Sequence, residues 1–212
     1  MKSFTAGSRV HIVAVGGSGM SAIARILKTV GCSVSGSDAS DSTRLRDLQA
    51  EGVDAYAGHD AQKMLAFDPG VVVHSSAVPE SNVELVAARA AGITVLSRSE
   101  AVREIMLGRD VIEVMGTHGK TTTASMAAMA AAHAGVDISY LVGSEIAQVG
   151  SNARWAGPVT VVEGDESDAS GFELSPAVLV LTNIDRDHMD FWPDHSALIS
   201  AFEKFAAAVG DN

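Results

Sequence analysis

The sequence predicts an α/β protein, with a Rossmann-like parallel-sheet domain followed by a second α/β domain that opens on its own Gly-rich loop. Two observations support this fold class. Short apolar segments alternate with helical segments along most of the chain, as they do where helices cover a parallel sheet. A Gly-rich turn also follows the first apolar strand of each half and precedes a helix. The pattern restarts near Leu107–Gly108, which predicts domains at 1–107 and 108–212.

The first half is predicted to contain four strands joined by helices. The predicted strands are Arg9–Val15, Cys32–Ser37, Gly70–His74 and Ile93–Leu96. The predicted helices span about Ser21–Val30, Thr43–Glu51 and Asn82–Ala91. Because right-handed crossovers place the turns after parallel strands along one edge of the sheet, we expect the residues that follow these strands to face a common ligand site.

The second half repeats the pattern with fewer strands. The predicted strands are Asp110–Met115, Val159–Glu163 and Ala177–Thr182, and the predicted helices are Thr121–Ala134 and Ser196–Val209. Three strands are few for a sheet that must bury helices on both faces. We therefore predict that the second domain is incomplete and that the chain is a fragment.

Composition and charge exclude several classes of partner. The net charge of −11 repels nucleic acid and anionic membrane at long range, so neither is expected to bind. Cys32 is the single cysteine, which rules out an internal disulfide and favours a cytoplasmic protein. The Ala- and Met-rich segment Met126–Val136 is too short to span a bilayer and is predicted to be a packed helix.

The Gly-rich loop of the second half resembles a phosphate-binding loop. It lies between a predicted strand and a predicted helix and reads Gly116, Thr117, His118, Gly119, Lys120, Thr121, Thr122. Its glycines allow backbone N–H groups to turn toward phosphate oxygens. Lys120 is predicted to reach the β- and γ-phosphates of ATP, and the Thr121 hydroxyl to bind Mg²⁺. The strict P-loop pattern requires a further glycine where Val114 stands.

Two polar segments follow the later strands of the second half. The segment 163–168 holds four carboxylates directly after an apolar strand. A divalent cation would offset their repulsion, and a strand end is where P-loop proteins place the acid that helps to hold Mg²⁺. Which of these carboxylates bind the metal stays open. The segment 182–190 contains His188 beside carboxylates, where a histidine can ligate a metal or carry a proton.

The Gly-rich turn of the first half resembles a dinucleotide fingerprint with Ala14 at its first glycine position. Gly16, Gly17, Ser18 and Gly19 follow, and Asp38 ends the next strand at the distance expected for a ribose contact. This signal alone is also compatible with an NAD-dependent oxidoreductase. Such an enzyme would leave the second loop without a function.

Taken together, the motifs resemble those of the Mur ligase family, whose members add amino acids to the peptidoglycan precursor. The motifs are Gly-Thr-His-Gly-Lys-Thr-Thr, Asp-Glu-Ser-Asp, Thr-Asn-Ile and Asp-His-Met-Asp, in that order. His118 is typical of the members that act directly on UDP-N-acetylmuramate. The resemblance therefore implies ATP-dependent ligation of L-alanine to UDP-N-acetylmuramate through an acyl phosphate. A tripeptide-recycling member is the alternative, but it typically carries Tyr at Ser167 and Ala at Met189.

The resemblance also implies roles for individual residues. Lys120, Glu163 and His188 would be catalytic, and Thr121, Glu163 and His188 would hold Mg²⁺. ATP would contact loop residues 116–122 and Asn183. The UDP-sugar would contact Gly16, Gly17, Ser18, Gly19, Met20, Asp38, His74, Ser75, Ser76 and Asn152.

The resemblance covers about Arg9–Val209 and omits a C-terminal domain that supplies adenine and amino-acid contacts in the family. We therefore expect UDP-sugar binding, weak ATP binding and little ligation from this chain. A P-loop ATPase or kinase with another substrate and a non-catalytic nucleotide-binding module stay open as alternatives.

Overall fold

A computed structural model describes residues 4–187 and 189–209. The chain divides into two compact units between Ile105 and Met106, two residues before the boundary expected from the sequence. Each unit is built on a five-stranded sheet. The predicted α/β class with parallel sheets is confirmed. Within the described residues, no helix is both long and apolar enough to cross a lipid bilayer.

All strands of the first sheet are parallel, and their order is β3-β2-β1-β4-β5. The strands are β1 (Arg9–Val13), β2 (Ser33–Asp38), β3 (Asp54–Ala57), β4 (Val71–His74) and β5 (Thr94–Ser97). The helices are α1 (Ser18–Val30), α2 (Thr43–Ala50), α3 (Ala61–Phe67), α4 (Val83–Ala90) and α5 (Arg98–Met106). Chain order reverses between β1 and β4, so their carboxyl ends flank the crevice where such sheets bind ligands.

The core of the first unit follows from the apolar strands and from one face of each helix. Val10 and Ile12 of β1 are completely buried, as are Ile23 and Leu27 of α1. On β1, His11 and Val13 alternate with these residues, and Val13 packs in a cluster with residues of α3, β4 and α4. Helices thus cover both faces of the sheet and leave its carboxyl edge for the turns.

The second sheet has the order β10-β6-β9-β7-β8 and is parallel except for the pair β7–β8. The strands are β6 (Asp110–Met115), β7 (Ser139–Ile146), β8 (Ser151–Arg154), β9 (Val159–Glu163) and β10 (Val178–Leu181). They are joined by α6 (Lys120–His133), a short 3-10 helix (Ser170–Glu173) and α7 (His195–Val209). The prediction of three strands was wrong, because β7 and β8 were not recognised.

Three elements of the first unit, β3, α3 and α5, were also missed. β3 and α3 are short, and α5 carries several charged residues, so the hydrophobic period is weak in all three. The predicted limits of the first strand and helix were wrong as well. Ala14 adopts a left-handed backbone with φ of 64°, which ends β1 at Val13, and α1 begins at Ser18 rather than Ser21.

Candidate functional site

The loop between β6 and α6 adopts a backbone that requires glycine. Gly116 has φ of 124°, and a Cβ added there would lie 2.6 Å from the carbonyl oxygen of Asn183 and closer still to the Thr182 hydroxyl. Gly119 has φ of 81° and is the residue that precedes α6. A side chain at Gly116 would therefore push the loop away from β10, the strand that leads into Thr182 and Asn183.

Residues that follow β10 hold this loop in place. Asn183 donates its side-chain amide to the carbonyl oxygen of His118 at 2.9 Å and accepts the His118 N–H at 3.0 Å. The Thr182 hydroxyl donates to the same carbonyl at 2.7 Å. The Thr117 hydroxyl accepts from the amide of Asp185 at 2.8 Å. Asn183, predicted to contact ATP, thus supports the loop backbone in this structure.

The helix that begins at this loop has no side-chain cap. The same holds for α1, which follows the Gly-rich turn of the first unit. The other α-helices of the described chain begin at a side chain that accepts from their first turn; the capping residues are Ser42, Asp60, Asn82, Ser97 and Asp194. An uncapped helix start presents backbone N–H groups and a partial positive charge, which together suit an anion. Both Gly-rich turns therefore fit phosphate groups.

Lys120, the first residue of α6, folds back over the loop. Its ammonium donates to the carbonyl oxygens of Gly116 at 2.8 Å and Thr117 at 3.2 Å. A third contact reaches the carboxylate of Glu166 at 2.9 Å, and that side chain is completely buried. The sequence singled out Lys120, whereas no signal in it singled out Glu166 among four neighbouring carboxylates.

Thr121 and Glu163, both predicted metal ligands, lie together. The Thr121 hydroxyl donates to Glu163 Oε1 at 2.8 Å, and the amide of Gly143 donates to Oε2 at 2.6 Å. Hydroxyl and carboxylate oxygens are the ligands that Mg²⁺ accepts, so this pair fits such an ion. His188, the third predicted ligand, lies outside the described residues. Among those described, no group of three or more His, Cys, Asp or Glu side chains is arranged to hold a metal ion.

The remaining carboxylates of the acidic segment shape its turns. Asp165 accepts from the amide of Ser167 at 3.0 Å and from its hydroxyl at 2.6 Å. Asp168 accepts from the amide of Ser170 at 3.0 Å. Glu163 and Glu166, by contrast, contact Thr121 and Lys120 of α6.

A further acid lies inside the second sheet. Glu113, on β6, is completely buried, and neither of its carboxylate oxygens has a hydrogen-bond partner among the described residues. Burial raises the pKa of this carboxyl to about 8. A Cβ on Gly164 would collide with the Glu113 side chain, so this glycine gives the carboxyl its space.

In the first unit, Asp38 fixes the Gly-rich turn. Its carboxylate accepts the Gly16 N–H at 2.9 Å, and Gly17 donates to the carbonyl oxygen of Ala14 at 3.0 Å. A Cβ on Gly16 would lie 2.8 Å from Asp38 Oδ2. Ala14 therefore closes a tight turn although it is not glycine. Asp38, predicted to face the ligand, holds the turn in this structure.

Of the other residues that were predicted to contact the UDP-sugar, all but Asn152 lie in the first unit. His74 ends β4 beside Val13 of β1, so His74, Ser75 and Ser76 lie along the sheet edge that also carries the Gly-rich turn. Met20 is only 2% exposed, which leaves its backbone rather than its side chain for a ligand. Asn152 is buried on β8 of the second unit.

Sequence reasoning missed a basic residue at the first turn. A Cβ on Gly19 would lie 2.7 Å from the Arg98 Nε atom, so this guanidinium packs against the turn. Arg98 begins α5, an element that the sequence did not predict. The segment Ser97–Glu100 contains a Ser three residues before a Glu, the pattern that marks a helix start, and this signal could have found it.

A buried polar network also lies in the first unit, between β1, β2, β3 and α4. Glu84 is completely buried and accepts from the hydroxyl groups of Ser37 and of Tyr56, the latter at 2.8 Å, and from the amide of Asp60 at 3.0 Å. His11 Nε2 lies 3.6 Å away. Burial alone would raise the pKa of Glu84, but His11, the Ser37 hydroxyl and the Asp60 amide outweigh it and hold the pKa at about 2.

Comparison with known proteins identifies the family. The Mur ligase family catalytic-domain model matches residues 9–110, and the Mur ligase middle-domain model matches residues 114–212.

The chain belongs to the Mur ligase family.

Relatives within the family support this membership over nearly the whole chain. The UDP-N-acetylmuramate–L-alanine ligase of Mycobacterium leprae is 48% identical over 202 residues, which are 93% of this chain and 41% of that protein. The enzyme of the same name from Mycobacterium tuberculosis strain H37Rv is 44% identical over 205 residues, 95% of this chain and 42% of that protein. The chain thus spans about two fifths of the length of these Mur ligases.

Solved Mur ligase structures share the fold. The UDP-N-acetylmuramate:L-alanyl-γ-D-glutamyl-meso-diaminopimelate ligase from Neisseria meningitides superposes with a TM-score of 0.88 at 30% identity, covering 96% of this chain and 69% of that chain. The UDP-N-acetylmuramate–alanine ligase MurC from Thermotoga maritima gives 0.88 at 31% identity, covering 94% and 47%. The names of these two proteins describe different substrates, so the shared fold alone does not indicate which substrate this chain binds.

Proposed function

We propose that this chain carries the UDP-sugar site and the phosphate-binding part of the ATP site of a ligase that joins L-alanine to UDP-N-acetylmuramate in peptidoglycan precursor synthesis. One observation carries the proposal. The uncapped start of α6 presents Lys120 and the Thr121–Glu163 pair side by side, at the end of a loop that only glycine can form. A phosphate cradle, a cation ligand pair and a positive charge are the parts that ATP-dependent activation of a carboxylate requires.

We assign the second unit as a P-loop domain for ATP and Mg²⁺. The backbone N–H groups at the start of α6 would receive the phosphate oxygens, and Lys120 would neutralise the charge of the γ-phosphate. Thr121 and Glu163 would hold the Mg²⁺ ion. When bound, ATP and Mg²⁺ would convert the substrate carboxylate into an acyl phosphate, whose phosphate the L-alanine amine can displace. The predicted role of His188 in binding a second cation stays a prediction.

We assign the first unit to the UDP-sugar. Its diphosphate would lie at the uncapped start of α1, where Gly16–Gly19 brings the backbone close and Arg98 adds a positive charge. Asp38 would act by fixing the turn through the Gly16 amide. His74, Ser75 and Ser76 would face the same ligand from the neighbouring strand end. The domain that would bind the UDP-sugar would thus end, and the domain that would bind ATP would begin, within residues 105–108.

A ligase for a tripeptide is the second candidate. The Neisseria structure, whose name describes such an activity, has the same TM-score as the alanine ligase from Thermotoga. L-alanine is favoured because the relatives at 44–48% identity carry the alanine-ligase name. Ser167 and Met189 also differ from the Tyr and Ala that are typical of tripeptide ligases.

Calorimetric titration of this chain with UDP-N-acetylmuramate, NAD and MgATP tests the proposal. We expect binding of the UDP-sugar, no binding of NAD and weak binding of MgATP. Lys120→Ala should weaken MgATP binding and spare the UDP-sugar, whereas Lys204→Ala, on the exposed face of α7, should change neither. Binding of NAD without the UDP-sugar would instead identify an oxidoreductase. Equal loss of both ligands in Lys120→Ala would show that the sites are misassigned.

A further inference from the structure

The ammonium group of Lys120 is fully occupied in this structure. An ammonium has three donors, and three acceptors surround this one: the carbonyl oxygens of Gly116 and Thr117, and Glu166 Oε1. The Lys120 side chain is 16% exposed and that of Glu166 is completely buried. The lysine that must meet a phosphate is therefore already paired with an anion supplied by the chain itself.

The position of Glu166 is fixed by contacts of its backbone. Its carbonyl oxygen accepts from the Trp192 indole at 2.9 Å and from the amide of Ala169 at 3.3 Å. The Trp192 ring in turn packs edge-on against Phe172, with ring centroids 6.0 Å apart. The indole of Trp192 and the amide of Ala169 therefore hold the backbone of Glu166 in the position from which its carboxylate reaches Lys120.

We propose that Glu166 is a positioning residue that acts as the resident counter-anion of Lys120 and is displaced when a nucleotide phosphate binds. This inference rests on the proposed function. Glu166 then lowers ATP affinity, because the phosphate must compete for an ammonium that already has a carboxylate partner. It also gives Lys120 a partner to return to when phosphate leaves. Glu163 instead accepts from the Thr121 hydroxyl and from the amide of Gly143.

The test compares MgATP binding by calorimetry in matched variants of the full chain. Glu166→Gln keeps the shape and removes the charge, and we expect MgATP to bind about three- to tenfold tighter. Glu173→Gln removes an equal charge from an exposed position of the following 3-10 helix but not from Lys120, and we expect less than about twofold change. In a Lys120→Ala background, Glu166→Gln should have no effect, because Glu166 acts only through the lysine.

Several results would overturn the inference. These are unchanged or weaker MgATP binding in Glu166→Gln, an equal gain in Glu173→Gln, or a gain that persists without Lys120. If Glu166→Gln does not fold, Glu166→Asp serves instead. It keeps the charge but shortens the reach to Lys120, so MgATP should again bind tighter, and unchanged affinity would count against the pairing.

Lysine reactivity separates failure of this inference from failure of the proposed function, because it requires no nucleotide. We would acetylate the chain with limiting acetic anhydride and compare Lys120 with the exposed Lys204 by peptide mass spectrometry. Glu166→Gln should raise the relative reactivity of Lys120 about threefold or more, because the ammonium loses its carboxylate partner. Equal reactivity would refute the pairing. A raised reactivity in a chain that binds no MgATP would confirm the pairing and reject the ATP site.

Discussion

Replacing Glu113 with Gln should make the second unit more stable at neutral pH and should remove most of a pH dependence that the native chain shows. Glu113 lies inside the sheet on β6, with both carboxylate oxygens buried and without partners among the described residues. Gln has nearly the same shape and cannot ionise. The variant therefore resembles the protonated form of the native residue at every pH.

The magnitude follows from the pKa of this carboxyl, which burial raises from an ordinary value of 4.5 to about 8. Below pH 4.5 both folded and unfolded chains hold the proton, so stability is unaffected. As pH rises from 4.5 to about 8, only the unfolded chain releases it, and the free energy of unfolding falls by ~1.4 kcal/mol per pH unit. At pH 7 the native chain should thus be roughly 3 kcal/mol less stable than Glu113→Gln.

The assay is urea unfolding followed by tryptophan fluorescence between pH 5 and about pH 9. Both tryptophans, Trp155 and Trp192, lie in the second unit, so the signal reports that unit alone. The difference between variant and native chain should grow with pH and level off above about 8. Glu203→Gln, on an exposed position of α7, is the matched control and should run parallel to the native chain. A constant offset between Glu113→Gln and the native chain across this range would refute the reasoning.

Three further predictions concern backbone and burial. Gly116→Ala should abolish MgATP binding in calorimetry and lower the urea stability of the second unit by about 2 kcal/mol, because its Cβ collides with the residues after β10. Ala14→Gly should raise stability in thermal unfolding by up to about 1 kcal/mol, since it relieves a left-handed alanine; a loss would contradict this. Glu84, whose pKa of about 2 lies below its ordinary 4.5, contributes about 3 kcal/mol above pH 4.5 that is lost as pH falls toward 2. Amide hydrogen exchange in β1 and β2 measures this: the free energy of opening should fall as the pH falls in the native chain and not in Glu84→Gln.

The sequence predicted the strands whose apolar runs end at a clear polar turn. The predicted limits of β6 and β9 agree with the structure, because Asp110 marks the start of the apolar run of β6 and Glu163 marks the end of that of β9. β7 was not predicted because its carboxyl-terminal half has the sequence Gly-Ser-Glu-Ile, which is polar for a strand. Its partner, β8, reads Ser-Asn-Ala-Arg and is stabilised by pairing with β7 rather than by local propensity.

The sequence predicted the residues of the candidate site that belong to motifs at strand ends, but it did not predict the contacts that depend on the winding of a turn. Lys120, Thr121 and Glu163 come together because strand ends on a parallel sheet meet at one edge. The contacts that each carboxylate of residues 163–168 makes depend on the backbone conformation of the turn, and the spacing of these residues in the sequence does not determine that conformation. Glu166 is three residues beyond Glu163, yet it contacts the lysine rather than the threonine.

The support that residues after β10 give to the loop between β6 and α6 has a consequence for the order of folding. The contacts from Thr182 and Asn183 to His118 join residues 64 and 65 positions apart, so the loop completes its shape only after a long chain closure. A growing chain that has reached β9 holds Lys120 and Glu163 but not this support. Nucleotide binding should therefore follow the docking of β10 rather than guide it. If so, the amides of Thr117 and His118 exchange with solvent at the same opening free energy as those of β10, and faster exchange in the loop would show that it forms independently.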